Sequence, residues 1–201
     1  MIKSIMEQKK FSRLDLLTMA PANMKEVRLD LGCGLRKKEG YIGIDITQLP
    51  GVDIVYNIEN GLPFEDNSVD GIYSNFLFEH LPNTIFLFKE LYRVCKNGSI
   101  IEFLVPYYQS NTQYKDPTHK SIILPETLRY FSDDKWYGSD YNIDVNFKVI
   151  ELIYNYLPPF DKWSRRRFFF LRPILYPLRS FAKRYLWNVV HSIKFSIEVI
   201  K

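Results

Sequence analysis

Apolar positions fall into two periods along the chain, and their succession predicts an alternating α/β order. Runs rich in β-branched or aromatic residues at 27–31, 41–46, 53–57, 70–74 and 99–105 are bounded by Gly, Pro or Asn, which marks strands. Between the last two, Ile85, Phe88, Leu91, Tyr92 and Cys95 recur at helical spacing after Pro82-Asn83, and Asn97-Gly98 ends that helix. Residues 2–19 carry Ile5, Leu14, Leu16 and Leu17 in a pattern that predicts a short amphipathic helix. Residues 146–154 read as a sixth strand. The alternation of Ile193, Phe195, Ile197 and Val199 marks Ile193–Ile200 as a seventh.

The first two strands carry the most chemistry. Val27, Leu29 and Leu31 lead into Asp30 and the tight pair Gly32-Cys33-Gly34, and the second strand ends on Asp45. A strand, a glycine turn and a second strand tipped by an acid form a nucleotide crevice at the carboxyl ends of parallel strands. Glycine lets the backbone close on a ligand where a Cβ would collide. A carboxylate at that tip accepts both hydroxyls of a ribose. The dinucleotide fingerprint fails, because Lys37 stands where its third glycine belongs and Asp45 follows Gly34 by only 11 residues instead of about 20. A phosphate loop fails too, since no Gly-Lys-Ser/Thr follows. An adenosine ligand without a pyrophosphate remains.

On these residues the chain resembles the class I S-adenosylmethionine-dependent methyltransferases, in particular the small single-domain bacterial, type 11-like group. Further motifs carry the resemblance in order. LPFEDNSVDGIYSN (Leu62–Asn75) looks like that family's approach to its fourth strand, and FEHL (Phe78–Leu81) stands where its fourth helix begins. LYRVCKNGSIIEFLVP (Leu91–Pro106) resembles its helix, turn and fifth strand, with Asn97 in place of the usual proline. DPTHK (Asp116–Lys120) and PETLRYF (Pro125–Phe131) are similar to a segment common in the subgroup. Arg36 replaces the third glycine of the family's loop, and the first crossover is too short for a full helix.

The resemblance implies one α/β domain over residues 1–201. Its Rossmann-like, seven-stranded, mostly parallel sheet has helices on both faces and an antiparallel last strand. It implies S-adenosylmethionine as cofactor and S-adenosylhomocysteine as product. Asp30, Gly32 and Gly34 would lie beside the methionine moiety, Asp45 and Ile46 at the ribose, Asn57 and Ile58 at the adenine, and Asn75 at the methionine end. Asp30 and Asn57 also fit plain turn formers. On the acceptor side, His80 and His119 are candidate bases because imidazole titrates near neutrality. Bracing the pocket (His80) or a hydrogen-bonded loop position (His119) is the plainer role. Tyr107 and Asp116 are candidate substrate contacts, and His191 reads as structural. The sequence shows no metal-ligand spacing, so no metal is expected.

Acceptor and compartment are narrowed by what is missing from the motifs. Neither Cys33 nor Cys95 follows a proline, so the Pro-Cys nucleophile of RNA cytosine-5 methyltransferases is lacking. Ser74-Asn75-Phe76-Leu77 stands where enzymes methylating adenine or glutamine nitrogen carry Asn/Asp-Pro-Pro-aromatic. LPPF at Leu157–Phe160 looks alike but follows the sixth strand. The expected reaction is methylation, first of oxygen, on a small molecule or a glycan or lipid-linked acceptor. An RNA methyltransferase and a non-catalytic cofactor-binding module are the alternatives. Met1–Lys10 lacks an apolar signal-peptide core, and no apolar run reaches the roughly 18 residues of a membrane span. A reduced cytoplasm is the expected compartment.

Charge singles out one further segment. Residues 162–190 hold eight of the 27 Lys and Arg and no acid, leaving 19 basic against 23 acidic residues elsewhere. Trp163, Phe168, Phe169, Phe170, Tyr176, Phe181, Tyr185 and Trp187 accompany them. A span of 157–191 between strands six and seven is long for a bare loop and predicts an interacting element. Its bulky apolar content favours a membrane surface or a homodimer contact over nucleic acid.

Overall fold

Strand β1 (Arg28–Leu31) lies inside a seven-stranded sheet of order β3-β2-β1-β4-β5-β7-β6. The others are β2 (Ile42–Asp45), β3 (Ile54–Val55), β4 (Val69–Asn75), β5 (Cys95–Pro106), β6 (Phe147–Tyr156) and β7 (Val190–Val199). Pairings among β1 to β5 are parallel; β7 runs antiparallel to both β5 and β6. The sheet is therefore mostly parallel with an antiparallel last strand, as expected. This computed structural model describes residues 10–19, 26–132, 143–157, 177, 180–184 and 186–201. Most of the cationic segment 157–191, and Ile5 of the expected first helix, lie outside them.

Local sequence explains the ends of the helices. In α1 (Arg13–Met19), Ser12 Oγ accepts from Asp15 N–H while Asp15 Oδ2 accepts from Ser12 N–H, a reciprocal cap of the first turn. Leu16 is fully buried, but Leu14, placed on the apolar face by the sequence pattern, is 72% exposed. In α2 (Thr84–Val94), Asn83 Oδ1 accepts from Phe86 N–H. Its buried face is Leu87, Phe88, Leu91 and Val94, whereas Ile85 is exposed. The helix stops one residue earlier than expected, because Cys95 already pairs with Val69. Gly98, at φ +77°, lies within the irregular start of β5 rather than in a separate turn.

Aromatic rings fill the space between α2 and the sheet. Phe88 stacks on Phe131 at 4.5 Å between centroids, and Phe103 of β5 stacks on Phe195 of β7 at 4.8 Å. β7 is buried along most of its length, so the C-terminal strand is core. Just before it, Trp187 Nε1–H donates to Asn111 Oδ1, and its ring lies 5.4 Å from that of Tyr114. The end of the long connection is thereby fastened over α3 (Asn111–Tyr114). With β1, β2, β4 and β5 parallel, the loops that follow them gather at one edge of the sheet, where the candidate site lies.

Candidate active site

The glycine turn is closed from two sides. Gly32 and Cys33 both donate to Ile44 O, at 2.8 and 3.2 Å, which carries the turn across the end of β2. Gly32 takes φ +66° and Gly34 φ +52°, the left-handed region that glycine enters without strain. Asp30 is buried, and its Oδ2 accepts from Lys38 N–H at 2.7 Å, so it shapes the short crossover in place of a helix. Burial pushes the Asp30 carboxyl up, against the Lys38 amide and the charges of Lys38 and Lys37. Lys38 Nζ bonds Glu102 Oε2 at 3.1 Å and lies 4.1 Å from the Tyr73 ring centroid, which holds the far side of the same loop.

Asp45 splits its carboxylate between two neighbours. Oδ2 accepts from Gly34 N–H and Oδ1 from Thr47 N–H, each at 3.0 Å. Each oxygen keeps a second lone pair. A cavity of about 340 Å³ opens beside it, within the range of roughly 300–1,000 Å³ typical of small-molecule sites. Gly32, Asp45, Ile46, Asn57, Ile58 and Leu77 are among its walls, and His80, Thr118 and Lys120 stand there too. Asn57 Oδ1 accepts from Glu59 N–H and caps the 3₁₀ turn Ile58–Asn60, so the turn-forming role weighed for it is real and coexists with its place in the wall. A second hollow of about 260 Å³ lies across Gly32, between Asp30, Cys33, Arg36, Tyr73 and Asn75. Gly32 borders both spaces, and all eight residues expected at the cofactor line one or the other except Gly34, which acts through Asp45.

Past Asn75 the chain reverses sharply. Phe76 adopts φ +56°, an uncommon conformation for a bulky residue, and its N–H donates to Leu104 O at 3.0 Å. The reversal brings Leu77 over the glycine turn, where an added Gly32 Cβ would stand 2.9 Å from Leu77 Cδ1. The 3₁₀ turn Phe78–His80 follows, and the Asp116–Lys120 loop is bonded to it. Lys120 and Ser121 donate backbone N–H groups to Glu79 O at 2.7 and 3.0 Å, and Ser121 Oγ donates to Phe78 O. The two motifs are 35 residues apart in sequence and one unit in space.

Hydrogen bonds fix the tautomers of both histidines in that unit. Thr118 Oγ1 donates to Asp116 Oδ1 at 2.6 Å, because a carboxylate only accepts. The 2.9 Å contact from His80 Nδ1 to the same hydroxyl therefore has Nδ1–H as donor. His119 Nδ1–H donates to Gln113 O at 2.8 Å. Nε2 of each ring makes no hydrogen bond among the described residues, that of His119 lies 3.9 Å from Asp116 Oδ2, and the rings meet edge to face at 4.7 Å. Glu79 lies between β4 and this loop, 1% exposed, and among the described residues neither of its carboxylate oxygens has a hydrogen-bond partner. Burial pushes it up to about 7, with its own amide offsetting part of the effect. One ligating atom from each of Glu79, His80 and His119 lies within 4.8 Å of the others.

The remaining candidates are placed differently. Tyr107 does not line either hollow; it packs against Tyr108 and Tyr154, and burial there pushes its hydroxyl well above the usual phenol range. Asp116 is solvent-facing and acts on the site by orienting Thr118, not by contact with the cavity. His191 belongs to β7; its backbone carbonyl accepts from Tyr107 N–H, and its ring packs edge-on against Phe76. Burial lowers its pKa. Cys33 and Cys95 are buried thiols pushed up to about 11 and about 12, again mainly by burial, which makes them poor nucleophiles. Leu77, Glu79, Thr118 and Lys120 are not marked by the sequence, although Leu77 adjoins the FEHL motif and the other three sit inside FEHL or DPTHK.

Known proteins converge on the same crevice. The family described as a methyltransferase domain matches residues 29–103, which include the glycine turn, Asp45, Asn57 and Asn75. An S-adenosylmethionine-dependent methyltransferase from Archaeoglobus fulgidus is 20% identical, covers 86% of each chain and superposes with a TM-score of 0.54. YcgJ from Bacillus subtilis is 15% identical over 94% of this chain and 97% of its own, with a TM-score of 0.53. The [4+2]-cyclase SpnF shares the architecture at 15% identity over 92% of this chain and 80% of its own, with a TM-score of 0.52. At such identities the likeness is one of fold. No curated protein matches by sequence. The cofactor fits the chain's own features: a carboxylate with lone pairs to spare at a ribose position, and a Cβ-free residue between two hollows. Residues 29–103 match the methyltransferase-domain family, and the chain shares the fold of S-adenosylmethionine-dependent methyltransferases.

Proposed function

We propose that the enzyme methylates a hydroxyl oxygen, on a small molecule or on a glycan or lipid-linked acceptor. Bound S-adenosylmethionine supplies an electrophilic methyl group, and the protein's task is to hold it and to present a nucleophile in line. Asp45 and the Gly32–Gly34 turn would hold the ribose, Asn57 and Ile58 the adenine, and Asp30 and Asn75 the amino-acid end. One observation carries the choice of oxygen. Three groups able to take or replace a proton (Glu79, His80 and His119) stand together, and His80 of the three lines the cavity. A neutral amine attacks without losing a proton first, whereas an alcohol needs that help. The buried, high-pKa thiols leave no covalent route through cysteine.

Among the described residues no helix is long and apolar enough to cross a membrane. A membrane-surface or subunit contact through 157–191 would suit a lipid-linked acceptor. The test is transfer from methyl-labelled S-adenosylmethionine to panels of hydroxylated small molecules, glycans and lipid-linked sugars, with amines and RNA alongside and the product bond read by NMR. An O-methyl ether is expected. Label on nitrogen or on RNA alone would overturn the proposal.

A further inference from the structure

We propose that Glu79, His80 and His119 form a binding site for one first-row divalent cation, which faces the cofactor cavity and takes the acceptor's hydroxyl as a further ligand. The inference rests on the acceptor reading above for that last ligand, and on the geometry alone for the site itself.

Four observations converge. The donor set is two imidazoles and one carboxylate, which suits Zn²⁺, Co²⁺ or Mn²⁺ better than Mg²⁺ or Ca²⁺, whose preferred ligands are all oxygen. The hydrogen bonds leave Nε2 of both rings unbonded, with Asp116 Oδ2 3.9 Å from that of His119. His119 gives its Nδ1–H to Gln113 O, and His80 gives its own to Thr118 Oγ1, itself tied to Asp116. Ligating histidines characteristically carry such an outer bond, which orients the ring and raises the basicity of the other nitrogen. Glu79 supplies the third. A buried carboxylate without a partner is costly, yet both oxygens of Glu79 are buried and unbonded among the described residues. The Lys120 and Ser121 amides bind Glu79 through its backbone carbonyl, so they leave its carboxylate unengaged beside the two histidines.

Distances fit as well. Two ligands of a tetrahedral zinc stand about 3.4 Å apart, so a span of 4.8 Å closes with shifts of about 1 Å or less per side chain. His80 is only partly buried and lines the cavity, so the open coordination position faces the acceptor. Three protein ligands and one exchangeable position is the arrangement of a catalytic rather than a structural metal. A cation there would lower the pKa of a bound hydroxyl, and that proton would pass to solvent as the oxygen prepares to attack. His80 and His119 then act as ligands, not as bases.

The test is titration of the full chain, freed of metal with chelator, with Co²⁺, followed by visible absorption, and with Zn²⁺ by calorimetry, in the absence of acceptor. One equivalent with d–d bands of a four- or five-coordinate nitrogen and oxygen site is expected. Glu79→Gln and His119→Gln should each weaken uptake at least tenfold, while S-adenosylhomocysteine still binds and so reports an intact fold. No stoichiometric uptake of either ion, or uptake unchanged in both variants, overturns the site. Acceptor failure is separable: uptake with N-methyl product leaves the site standing and refutes the oxygen acceptor, whereas O-methyl product with no uptake refutes the site alone.

Discussion

Replacing Asp45 by Asn perturbs one side chain that performs two tasks, and their sizes can be worked from its bonds. The carboxylate places one oxygen on Gly34 N–H and the other on Thr47 N–H, both at 3.0 Å. An amide of the same shape has a single acceptor oxygen, so its NH₂ must face one of those two donors. One backbone N–H then loses its partner, at a cost of about 1–3 kcal/mol in stability. If the spare lone pairs receive the ribose hydroxyls, one of those bonds goes too. A hydrogen bond to a charged group is worth about 1.5–3 kcal/mol, which translates to roughly 10- to 150-fold weaker cofactor binding.

A matched control separates the tasks. Asp53 Oδ2 also accepts a backbone N–H, from Gly43 at 2.7 Å, but Asp53 lies outside both hollows. Asp53→Asn keeps an acceptor for Gly43 and loses its ion pair with Lys37, so it should lower stability by about 1 kcal/mol or less and leave affinity alone. Urea unfolding gives the first quantity, and calorimetry with S-adenosylhomocysteine the second. Equal affinity losses in the two variants, or none in Asp45→Asn, would refute the assignment of Asp45 to the ribose.

Gly32→Ala adds a Cβ 2.9 Å from Leu77 at φ +66°, so strain of about 1–2 kcal/mol is joined by displacement of a cavity wall, and cofactor affinity should fall at least tenfold. Gly51→Ala, at φ +90° in open space, should show the loss of stability alone in the same two assays. Phe88→Ala removes a fully buried ring stacked on Phe131, and should lower stability by about 3–5 kcal/mol in urea with an unchanged slope. At Asp70, burial pushes the pKa up, but Lys96, the Val27 amide and Arg13 outweigh it and hold the carboxyl below its usual range. Its contribution is therefore full above about pH 4 and is lost as pH falls through the depressed value. Asp70→Asn should start less stable at pH 7 and lose less between pH 5 and pH 3, as read from urea midpoints; parallel losses in the two proteins would contradict the ion-pair account.

The cofactor half of the site was readable in sequence because its parts are close along the chain. Asp30, Gly32, Gly34, Asp45 and Asn57 sit on two strands and the turns after them, and a parallel pairing of β1 with β2 leaves little freedom in where they meet. Helix phase was less legible: Leu14 and Ile85 belong to apolar patterns but face solvent, because a pattern fixes a stripe only to within a residue or so. Tyr107 was misplaced for a similar reason. It is the first residue past β5, and its side chain turns to the Tyr154 side, away from the cavity. Glu79 was the largest omission. Its neighbour His80 drew attention, but no pattern discloses that a carboxylate is buried with both oxygens unbonded.

The division between what was legible and what was not coincides with a division in the enzyme. Residues expected at the cofactor lie within the match over 29–103, whereas His119, Thr118 and Lys120 lie beyond it. The proposed acceptor wall lies where a loop after β5 is fastened to a turn after β4 through Glu79 O, and that fastening is made by backbone amides. The fastening therefore places no demand on the side chains the loop presents, and a shared fold does not fix the chemistry built on it. Glu79, His80 and His119 span that division: the first two lie inside the matched domain, and the loop brings the third to them. Exchanging residues 116–120 should change the acceptor and the cation requirement together while cofactor affinity holds, because the loop holds the acceptor wall and Asp45 holds the ribose.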